Sequence, residues 1–404
     1  MLRLISKITI KQIARAEYPT RTKTFIMDFV NSCEISSSWE NLTDTAELIF
    51  PKDLYFTDEN SQKVTWVGKN TIGSAATTPL LLRGDKITIE LGYIYPTGVA
   101  NEEKIDTNVE FDGYITEINN DAPIKIKCED KMWLFKQVRC KNQVFPSATY
   151  KLDSIIKELI SQATTDTTIY QSIRDELSAS NVTVITGTAT NNVSTDIGDF
   201  RTQNETLAQV LDRLKKDYRI YSYFRGSELR VSGIVYYPLD RVENVFEFQQ
   251  NIVSDSLDYK RLDDLQIGAK AYSVQADELT SVNSKGGTIT KNKRLSTFVG
   301  QEGGEIRTIY VYGAANVAEL KEKANKELSK FYYEGYRGDF TTFGLPSIKH
   351  GDGAILRDKV LTERNGTYLV RGVKKNFGVD GFRQTATLHI KIDNFSETTI
   401  GLGL

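Results

Sequence analysis

The strongest constraint on the fold is a short β pattern that occurs twice, once near each end of the chain. In each copy a Gly-Asp pair opens a strand, a glycine turn opens the next strand, and an alternating strand closes the unit. The first copy consists of LRGDKITIEL at residues 82–91, FDGYITEI at 111–118 and IKIKC at 124–128. The second copy consists of HGDGAIL at residues 350–356, NGTYLVRGV at 365–373 and TATLHIKI at 385–392.

Each part of this pattern has a physical basis. Glycine adopts the positive φ values that tight turns need, and an adjacent aspartate bonds to the turn backbone. The alternation of Ile87, Ile89 and Leu91 with Thr88 and Glu90 places one face of a strand in a core and the other in water. Glycine-turn-strand units also recur in unrelated antiparallel proteins, but the shared order and the positions of the two copies favour a duplication.

The length and composition indicate a soluble globular protein of two or three domains. The chain has 404 residues, of which 40% are apolar and 26% are charged. We expect no transmembrane segment, because no stretch approaches the roughly 20 consecutive apolar residues of a span. Residues 1–10 alternate like a strand and lack a secretory apolar block, so we expect the chain to fold in a cytoplasm.

The charge and the cysteines exclude two further classes. The formal net charge is −2 and the pI is near 6.0, whereas a nucleic-acid binder must neutralise many phosphates, so we expect no recognition of nucleic-acid sequence. Cys33, Cys128 and Cys140 are odd in number and lack metal-ligand spacing. They are therefore predicted to be reduced and structural.

Residues 1–145 have the pattern of a first β domain. The candidate strands are residues 4–10, 24–30, 45–50, 86–91, 109–118 and 124–128. The polar, glycine-containing stretch 60–79 and the segment 96–108 are predicted to be long loops.

Residues 146–218 change to a helical period. One apolar stripe contains Leu152, Ile155, Ile156, Leu159 and Ile160. A second helix is predicted after a capping box formed by Thr202 and Glu205, and its inner face contains Leu207, Val210, Leu211, Leu214 and Tyr218. Between them, residues 169–177 indicate a weaker helix, and the polar tract 181–196 is predicted to be a loop with one strand.

Residues 219–334 predict a mixed β domain with a terminal helix. Strands 220–224 and 228–232 form a hairpin around Gly226, and further short strands follow between 245 and 312, interrupted by a flexible run at 284–287. The helix has a Glu319/Lys323 pair outside, and its inner residues are Val317, Leu320, Ala324, Leu328 and Phe331. Residues 335–404 hold the second β module, completed by strands from 245–312. The class predicted for the whole chain is α+β, mainly β.

The sequence offers no arrangement typical of catalysis. Its two histidines are His350, beside the second Gly-Asp turn, and His389, in the closing strand, and we predict both to be turn and surface-strand residues. Metal, nucleotide and nucleophile motifs do not occur in the sequence.

Paired carboxylates are the remaining route to an enzyme, because glycoside hydrolysis uses two of them. The adjacent pairs are Glu129 with Asp130 and Asp263 with Asp264. Neighbours on a strand point to opposite faces, so neither pair is able to close on one glycosidic bond. We therefore predict a non-enzymatic protein with no catalytic, cofactor or metal site.

Two aromatic clusters leave a carbohydrate-binding interpretation open. The first contains Phe331, Tyr332, Tyr333 and Tyr336, and the second contains Tyr221, Tyr223 and Phe224. Aromatic residues are also common in strands and at subunit interfaces, so we favour core and interface roles.

The order of these features resembles the baseplate or tail hub proteins of contractile-tailed bacteriophages, a family related to phage late control proteins and to the hub part of type VI secretion spike proteins. In the first half, the similar segments are SWENLTDTAEL at 38–48, RGDKI at 83–87, FDGYI at 111–115 and IKCED at 126–130. In the second half, they are TFGLPSIKHGD at 342–352, GTYLV at 366–370 and GFRQT at 381–385.

The resemblance implies two related β-barrels, in residues 1–145 and 335–404, with helical and mixed segments between them. It also implies a homotrimer in which six barrels form a pseudo-sixfold ring that joins a hexameric tail tube to a trimeric spike. The implied partners are a tube or tube-initiator protein, the central spike, other baseplate proteins and a tape measure protein. The implied location is the tail baseplate of a virion or a related injection machine, assembled in the cytoplasm of the bacterial host.

The chain departs from the family pattern in two respects, and three other functions stay open. The chain ends at Leu404 without a needle domain, so we expect the spike to be a separate protein. The first module has 28 residues from Asp85 to Gly113, against 14 from Asp352 to Gly366, so its loop distinguishes it from the second. The alternatives are a tail-tip hub of a non-contractile tail, a cell-wall hydrolase and a carbohydrate-binding tail protein.

Overall fold

The chain folds mainly as β-sheet, as the sequence predicted. A computed structural model describes residues 2–51, 54–58, 61–67, 70–71, 79–97, 102–119, 123–186, 197–232, 243–282, 288–312, 314 and 316–392. Across these residues there are 26 β-strands and five α-helices. No helix in these ranges is both long and apolar enough to cross a membrane.

The first ten strands build one antiparallel sheet. They are β1 (Arg3–Lys11), β2 (Thr24–Met27), β3 (Ser32–Ser38), β4 (Thr45–Phe50), β5 (Leu54–Asp58), β6 (Lys63–Val67), β7 (Asn70–Thr71), β8 (Lys86–Pro96), β9 (Glu103–Asn119) and β10 (Ile124–Glu129). Six of them follow the order β1-β8-β9-β10-β4-β3, and we call this unit module 1. The alternating residues Ile87, Ile89 and Leu91 face its core, as predicted.

A compact α/β segment follows module 1 and has the largest apolar core. Its elements are α1 (Met132–Gln137), β11 (Gln143–Phe145), α2 (Leu152–Thr165), α3 (Gln171–Ser180), β12 (Thr183–Ile185), β13 (Phe200–Thr202), α4 (Leu207–Tyr218), β14 (Tyr221–Arg225) and β15 (Glu228–Ser232). The helices at α2, α3 and α4 and the β14–β15 hairpin are confirmed predictions. The short helix α1 was not predicted.

The capping box of α4 lies one turn later than predicted. The Thr206 hydroxyl accepts a bond from the Gln209 amide, and the Gln209 side chain accepts one from the Thr206 amide. Thr202 ends β13 instead, and its hydroxyl donates to the Lys141 carbonyl at 2.6 Å. Both threonines have the spacing of a capping box, and the strand pairing of Thr202 with Gln143 decides between them.

The last part of the chain contains a small sheet, a helix and a second large module. Its elements are β16 (Glu243–Glu247), β17 (Ile252–Asp255), β18 (Asp258–Lys260), β19 (Ile267–Val282), β20 (Thr288–Gly300), β21 (Glu305–Tyr312), α5 (Val317–Ser329), β22 (Gly335–Arg337), β23 (Asp339–Phe343), β24 (Gly353–Arg357), β25 (Gly366–Gly378) and β26 (Gly381–Lys391). The order β16-β24-β25-β26-β23-β17 forms module 2.

Helix α5 packs on the sheet β20-β19-β21. Ala269 and Ala271 in β19 leave room for Leu320, Ala324 and Leu328, which were predicted to face inward. Val317 was also predicted to face inward but is 48% exposed, because it is the first residue of the helix and lies a turn before the first buried position. The predicted Glu319/Lys323 ion pair is present, with 2.8 Å between the charged atoms.

The two modules are continuous with each other. Residues Gly372–Gly378 of β25 pair antiparallel with Ser32–Ser38 of β3, so that both modules belong to one 16-stranded sheet. In the described residues no closed barrel is detected, so the two-barrel layout stays a prediction. The boundaries at residues 145, 218 and 334 also stay predictions.

Two predicted loops contain strands. The hairpin of β8 and β9 continues through Pro96 and restarts at Glu103, because a bulge after Ile89 shifts the register without ending the pairing. Within the predicted loop 60–79, Lys63–Val67 and Asn70–Thr71 are strands. Residues 72–78, the flexible run 284–287, residues 187–196 and the polar tail 394–399 lie outside the described residues.

Candidate functional site at the junction of the two modules

The first Gly-Asp turn is fixed by three bonds around Asp85. Gly84 has φ of +89° and its N–H donates to the Ile115 carbonyl at 2.6 Å, while the Ile115 N–H donates to the Asp85 carbonyl at 2.9 Å. The Asp85 carboxylate accepts a bond of 2.7 Å from the Leu82 N–H. Glycine is needed at position 84 because an added Cβ would lie 2.7 Å from the ring of Trp133 and the φ is left-handed.

The second Gly-Asp turn has the same three bonds. Gly351 has φ of +82° and donates to the Val370 carbonyl at 2.7 Å, and the Val370 N–H donates to the Asp352 carbonyl at 3.0 Å. The Asp352 carboxylate accepts a bond of 2.8 Å from the Lys349 N–H. The predicted equivalence of the two copies therefore extends to individual hydrogen bonds.

Each aspartate also has an arginine partner, although the partners come from different parts of the chain. Arg21, which precedes β2, binds both carboxylate oxygens of Asp85, at 3.0 and 2.5 Å. Arg225, in the β14–β15 hairpin, lies 3.2 Å from the Asp352 carboxylate and also donates to the His350 carbonyl. In module 1 the equivalent carbonyl, that of Arg83, is bound by Arg15. Arg225 therefore fills both positions in module 2 and ties that module to the α/β segment.

A β-bulge lies at the same place in both modules. In module 1, Cys128 of β10 pairs with Ile115 and Lys127 pairs with Glu117, so one residue of β9 is skipped. In module 2, Leu388 of β26 pairs with Val370 and Thr387 pairs with Gly372, which skips one residue of β25. A bulge is a local feature that strand pairing does not require, so its repetition supports the duplication that the sequence predicted.

The junction between the modules combines backbone pairing with side-chain bonds. The Tyr93 hydroxyl of module 1 donates to the Phe382 carbonyl at 2.8 Å and accepts from the Gly344 N–H at 3.2 Å. The hydroxyl of Ser37 donates to the Val373 carbonyl at 3.3 Å and that of Ser38 to the Arg371 carbonyl at 3.2 Å. These bonds satisfy backbone groups at the edges of β25 and β26.

A buried charge pair crosses the same junction. Lys375 of β25 contacts the carboxylate of Glu110 in β9, and the side chains are 4% and 0% exposed. The Ser347 hydroxyl lies 2.6 Å from the Lys375 ammonium and donates to Glu110 at 2.9 Å. Burial lowers the pKa of Lys375, and the charge of Glu110 opposes that shift.

His350 lies in a turn, as predicted, but it is buried there. Its ring is 3% exposed, with Nε2 3.3 Å from the Asp44 carboxylate. The ring centroid lies 4.9 Å from that of Tyr223, and the two rings are T-shaped. It is buried because module 1, module 2 and the β14–β15 hairpin meet around the second Gly-Asp turn. The sequence did not show that the hairpin packs there.

Of the two carboxylate pairs considered in the sequence, Glu129 and Asp130 have structural partners. Glu129 bonds to Lys136 at 2.8 Å, whereas the Asp130 carboxylate accepts from the Met132 N–H at the start of α1. Burial, and then the charge of Asp44, raises the pKa of Asp130 well above its usual value. Asp263 and Asp264 are exposed in a short helical turn. In the described ranges, no three His, Cys, Asp or Glu side chains are arranged to hold a metal ion.

The two aromatic clusters are split by the fold. Tyr223, Phe224, Tyr333 and Tyr336 are buried in cores, as we favoured. Tyr221 and Phe331 instead line a cavity of about 510 Å³, which lies where modules 1 and 2 meet the two intervening segments. The other polar and aromatic residues of its wall include Trp39, Arg219, Arg307, Arg371 and His389.

His389, in the wall of this cavity, is expected to make the free energy of unfolding depend on pH. The ring is partly buried, with the edges of Trp39 and Phe331 at 4.9 and 6.0 Å between centroids. Burial, followed by the charges of Arg307 and Arg371, lowers the pKa of His389 from 6.5 to about 3. As the pH falls below 6.5 the unfolded chain takes up a proton that the folded chain rejects until about pH 3. The free energy of unfolding is therefore expected to fall through this window, by at most about 1.4 kcal/mol per pH unit.

The measurement is urea unfolding of the wild type and His389→Gln from about pH 7 to about pH 4. The difference between the two curves isolates the histidine from the carboxylates that titrate in the same range. We expect the wild type to lose stability more steeply than the variant below pH 6.5. Parallel curves would contradict this assignment.

The residues that hold the Gly-Asp turns and the junction together were not predicted from the sequence. Each of them is separated by a long stretch of chain from the group that it binds. They are Arg21, Arg225, Glu110, Lys375 and Tyr93. The only local signal was the Gly-Asp pair itself, because a buried aspartate in a turn needs a cation. Arg83 and Lys86 are the nearest cations in the sequence, yet Asp85 is bound by the distant Arg21. The three cysteines are free and buried, as predicted.

Comparisons with known proteins identify the fold. No protein-family model matches the sequence, and no curated protein is similar to it. A tail protein from Neisseria meningitidis MC58 is 12% identical, with a TM-score of 0.54 over 96% of this chain and 97% of that one. The 43 kDa tail protein of prophage MuSo2 from Shewanella oneidensis is 12% identical, with a TM-score of 0.50 over 95% and 97%.

A chain of the Francisella PdpA-VgrG complex is also similar. It is 9% identical, with a TM-score of 0.51 over 98% of this chain and 59% of that one. The resemblance to tail hub proteins that the sequence predicted is thus confirmed at the level of the fold.

Proposed function

We propose that this chain, which has the fold of phage tail proteins, is a structural tail or baseplate hub that assembles as a homotrimer. Three copies form a pseudo-sixfold ring that joins a hexameric tail tube to a trimeric central spike. The two modules are the barrel units of this ring. The proposal places the protein in the tail baseplate of a virion or a related contractile machine, built in the host cytoplasm, and assigns it no enzymatic activity.

The observation that carries the proposal is the edge-to-edge joining of two equivalent modules. They share a strand order, a Gly-Asp turn and a bulge, and β3 of one pairs directly with β25 of the other. A contact between two equivalent units through different surfaces is heterologous, and repetition of such a contact closes a ring when the rotation permits. Two units in each of three chains give six similar positions.

The parts that differ between the modules explain how such a ring joins two symmetries. Modules 1 and 2 together supply six similar surfaces, which suit a sixfold tube. The α/β segment from Met132 to Ser232 and the α5 unit occur once per chain, as does the long β8–β9 hairpin, so the trimer has three of each. Features present three times suit a threefold spike. The supporting comparisons are the tail proteins and the VgrG complex that share the fold.

The oligomeric state tests this proposal directly. We expect light scattering of the purified chain, alone or mixed with its tube and spike proteins, to give particles that contain three copies of the 45.6 kDa chain. Class averages from electron microscopy are expected to show a ring with six similar lobes. A monomer that also fails to bind tube and spike would contradict the proposal, and clearing of a peptidoglycan suspension would contradict the non-enzymatic assignment.

A further inference from the structure

The strand pairing of module 1 relates each residue of β3 to a position after the shared bulge. The first row of paired residues after the bulge crosses four strands, from Glu117 in β9 to Lys127 in β10, Glu47 in β4 and Glu34 in β3. The four residues are direct partners in neighbouring strands. Glu34 is therefore three strands away from the residue that follows the bulge in β9.

The ladder of module 2 has the same row. It runs from Gly372 in β25 to Thr387 in β26 and Asp339 in β23, and the Ser256 N–H then donates to the Asp339 carbonyl at 2.9 Å. Ser256 between β17 and β18 is thus the counterpart of Glu34. A second pair gives the same correspondence. Asp258, two residues after Ser256, lies opposite Arg337, just as Ser36, two residues after Glu34, lies opposite Thr45.

Residues 254–260 of module 2 therefore correspond to residues 32–38 of module 1, which are β3. In β3 one edge pairs with β4 and the other edge pairs with β25. In residues 254–260 one edge pairs with β22 and β23, and no described strand pairs with the other edge. Val253 is 50% exposed, and Ser254, Asp255, Ser256 and Asp258 are exposed as well.

The complementary edge lies on β9. In module 2, the part of β25 beyond its last β24 partner is covered by β3. In module 1, β9 continues beyond its last β8 partner, Tyr114, and no described strand pairs with that edge at Glu117 and Ile118. Each chain thus has two copies of the β3-type edge and two copies of the β25-type edge. One copy of each is paired within the chain, and no described strand pairs with the other copy.

We propose that the unused edge of residues 254–260 pairs antiparallel with the β9 edge at Glu117 and Ile118 of a second copy of this chain. This inference rests on the proposed function and names the strands through which the trimer closes. The observed β3–β25 register, in which Ser38 lies opposite Gly372 and Ser37 opposite Val373, places Lys260 opposite Glu117 and Tyr259 opposite Ile118. This pairing would give a backbone partner to two complementary edges that are unpaired in the described residues.

The charges at the proposed contact are complementary. Lys260 is opposite in sign to Glu117, which already binds Lys127 at 2.9 Å, and Lys127 lies beside Glu47. The row across four strands would alternate cation, anion, cation and anion. Opposite charges in direct cross-strand pairs stabilise a sheet, and like charges destabilise it.

Charge reversal tests the register. Lys260→Glu is expected to lower the affinity of the trimer by on the order of tenfold, because a repulsive pair is repeated at each contact of the ring. The change should leave the monomer folded, since Lys260 is partly exposed and its ion pair among the described residues is with its neighbour Asp258. Lys260→Glu combined with Glu117→Lys is expected to restore the trimer. Lys216→Glu is the matched control, an exposed lysine in a local pair with Asp212 on α4, and should assemble normally.

Disulfide trapping gives a second readout. Residues opposite each other in antiparallel strands have Cα atoms about 4.5–5.5 Å apart, which a disulfide is able to bridge. The double variant Lys260→Cys with Glu117→Cys is expected to give linked trimers, and no larger species, on a non-reducing gel. The native cysteines are buried and should not interfere.

The outcomes separate the inference from the function on which it rests. A wild type that never trimerises, even with tube and spike, overturns the proposed function. A wild-type trimer that Lys260→Glu leaves intact, or that the double charge swap fails to rescue, overturns the proposed register. Cross-linked ladders that extend beyond three chains would show that the contact forms a filament instead of a ring.

Discussion

Replacing Asp85 by alanine is expected to remove about 3–5 kcal/mol from the free energy of unfolding, because the change leaves Arg21 charged and buried with backbone carbonyls as partners but no anion. Both side chains of this pair are 0% exposed. Asp85 also accepts bonds from the Leu82 and Ile13 amides, so the loss extends to the turn that opens β8. Urea unfolding at neutral pH measures the effect.

The equivalent change in module 2 is the matched control. Asp352→Ala removes the same turn bond, but the Arg225 side chain is 22% exposed and remains able to meet water. The loss in free energy of unfolding for Asp352→Ala should therefore be smaller than that for Asp85→Ala by about 1–2 kcal/mol. The double variant Arg21→Met with Asp85→Leu should recover much of the stability lost in Asp85→Ala, because no charge is then left unpaired. Equal losses for Asp85→Ala and Asp352→Ala would show that burial of the arginine is not the cause.

Replacing Lys375 by methionine is the second large effect that we expect. The methionine fills the space of the lysine stem but leaves the Glu110 carboxylate buried without a cation, which should cost about 3–5 kcal/mol. Since Glu110 belongs to module 1 and Lys375 to module 2, the amides of β3 and β25 should also exchange hydrogen faster. Urea unfolding and hydrogen exchange measure the two effects.

A double-mutant cycle isolates the pair from the surrounding packing. Glu110→Leu combined with Lys375→Met removes both charges and should be markedly more stable than Lys375→Met alone. Lys374→Met is the control, because the neighbouring lysine is exposed and pairs with Glu34 at the surface. The free energy of unfolding of Lys374→Met is expected to stay within about 0.5 kcal/mol of the wild type. Additive effects in the cycle would mean that the two buried charges do not interact.

The sequence predicted those parts of the fold that local chemistry determines. The Gly-Asp turns, the alternating strands and the amphipathic helices all depend on residues within about ten positions of each other. Their repetition predicted the duplication, which the shared bulge now supports. The resemblance to tail hub proteins added the order of the parts but no contacts.

The sequence did not predict what distant residues do to one another. His350 lies in a turn, as predicted, but its burial was not predicted, because a hairpin more than 100 residues earlier packs on it. The partners of Asp85 and Asp352 show the same limit, since Arg21 precedes one turn by 64 residues and Arg225 precedes the other by more than 100. Loop 96–108 was misassigned because its strand residues are polar and alternate weakly.

The pairing of β3 with β25 also determines the order in which the molecule is able to fold. Ser37 and Val373, which bond across this pair, are separated by 336 residues, so the edge of β3 stays open until β25 has been synthesised near the end of this sequence. Such long-range strand pairing is slow, and an open edge accepts any strand of the right register. At high concentration a nascent chain will therefore capture β25 of a neighbour. Refolding yield should fall with protein concentration, and strand-exchanged dimers should be the product that replaces the correctly folded chain.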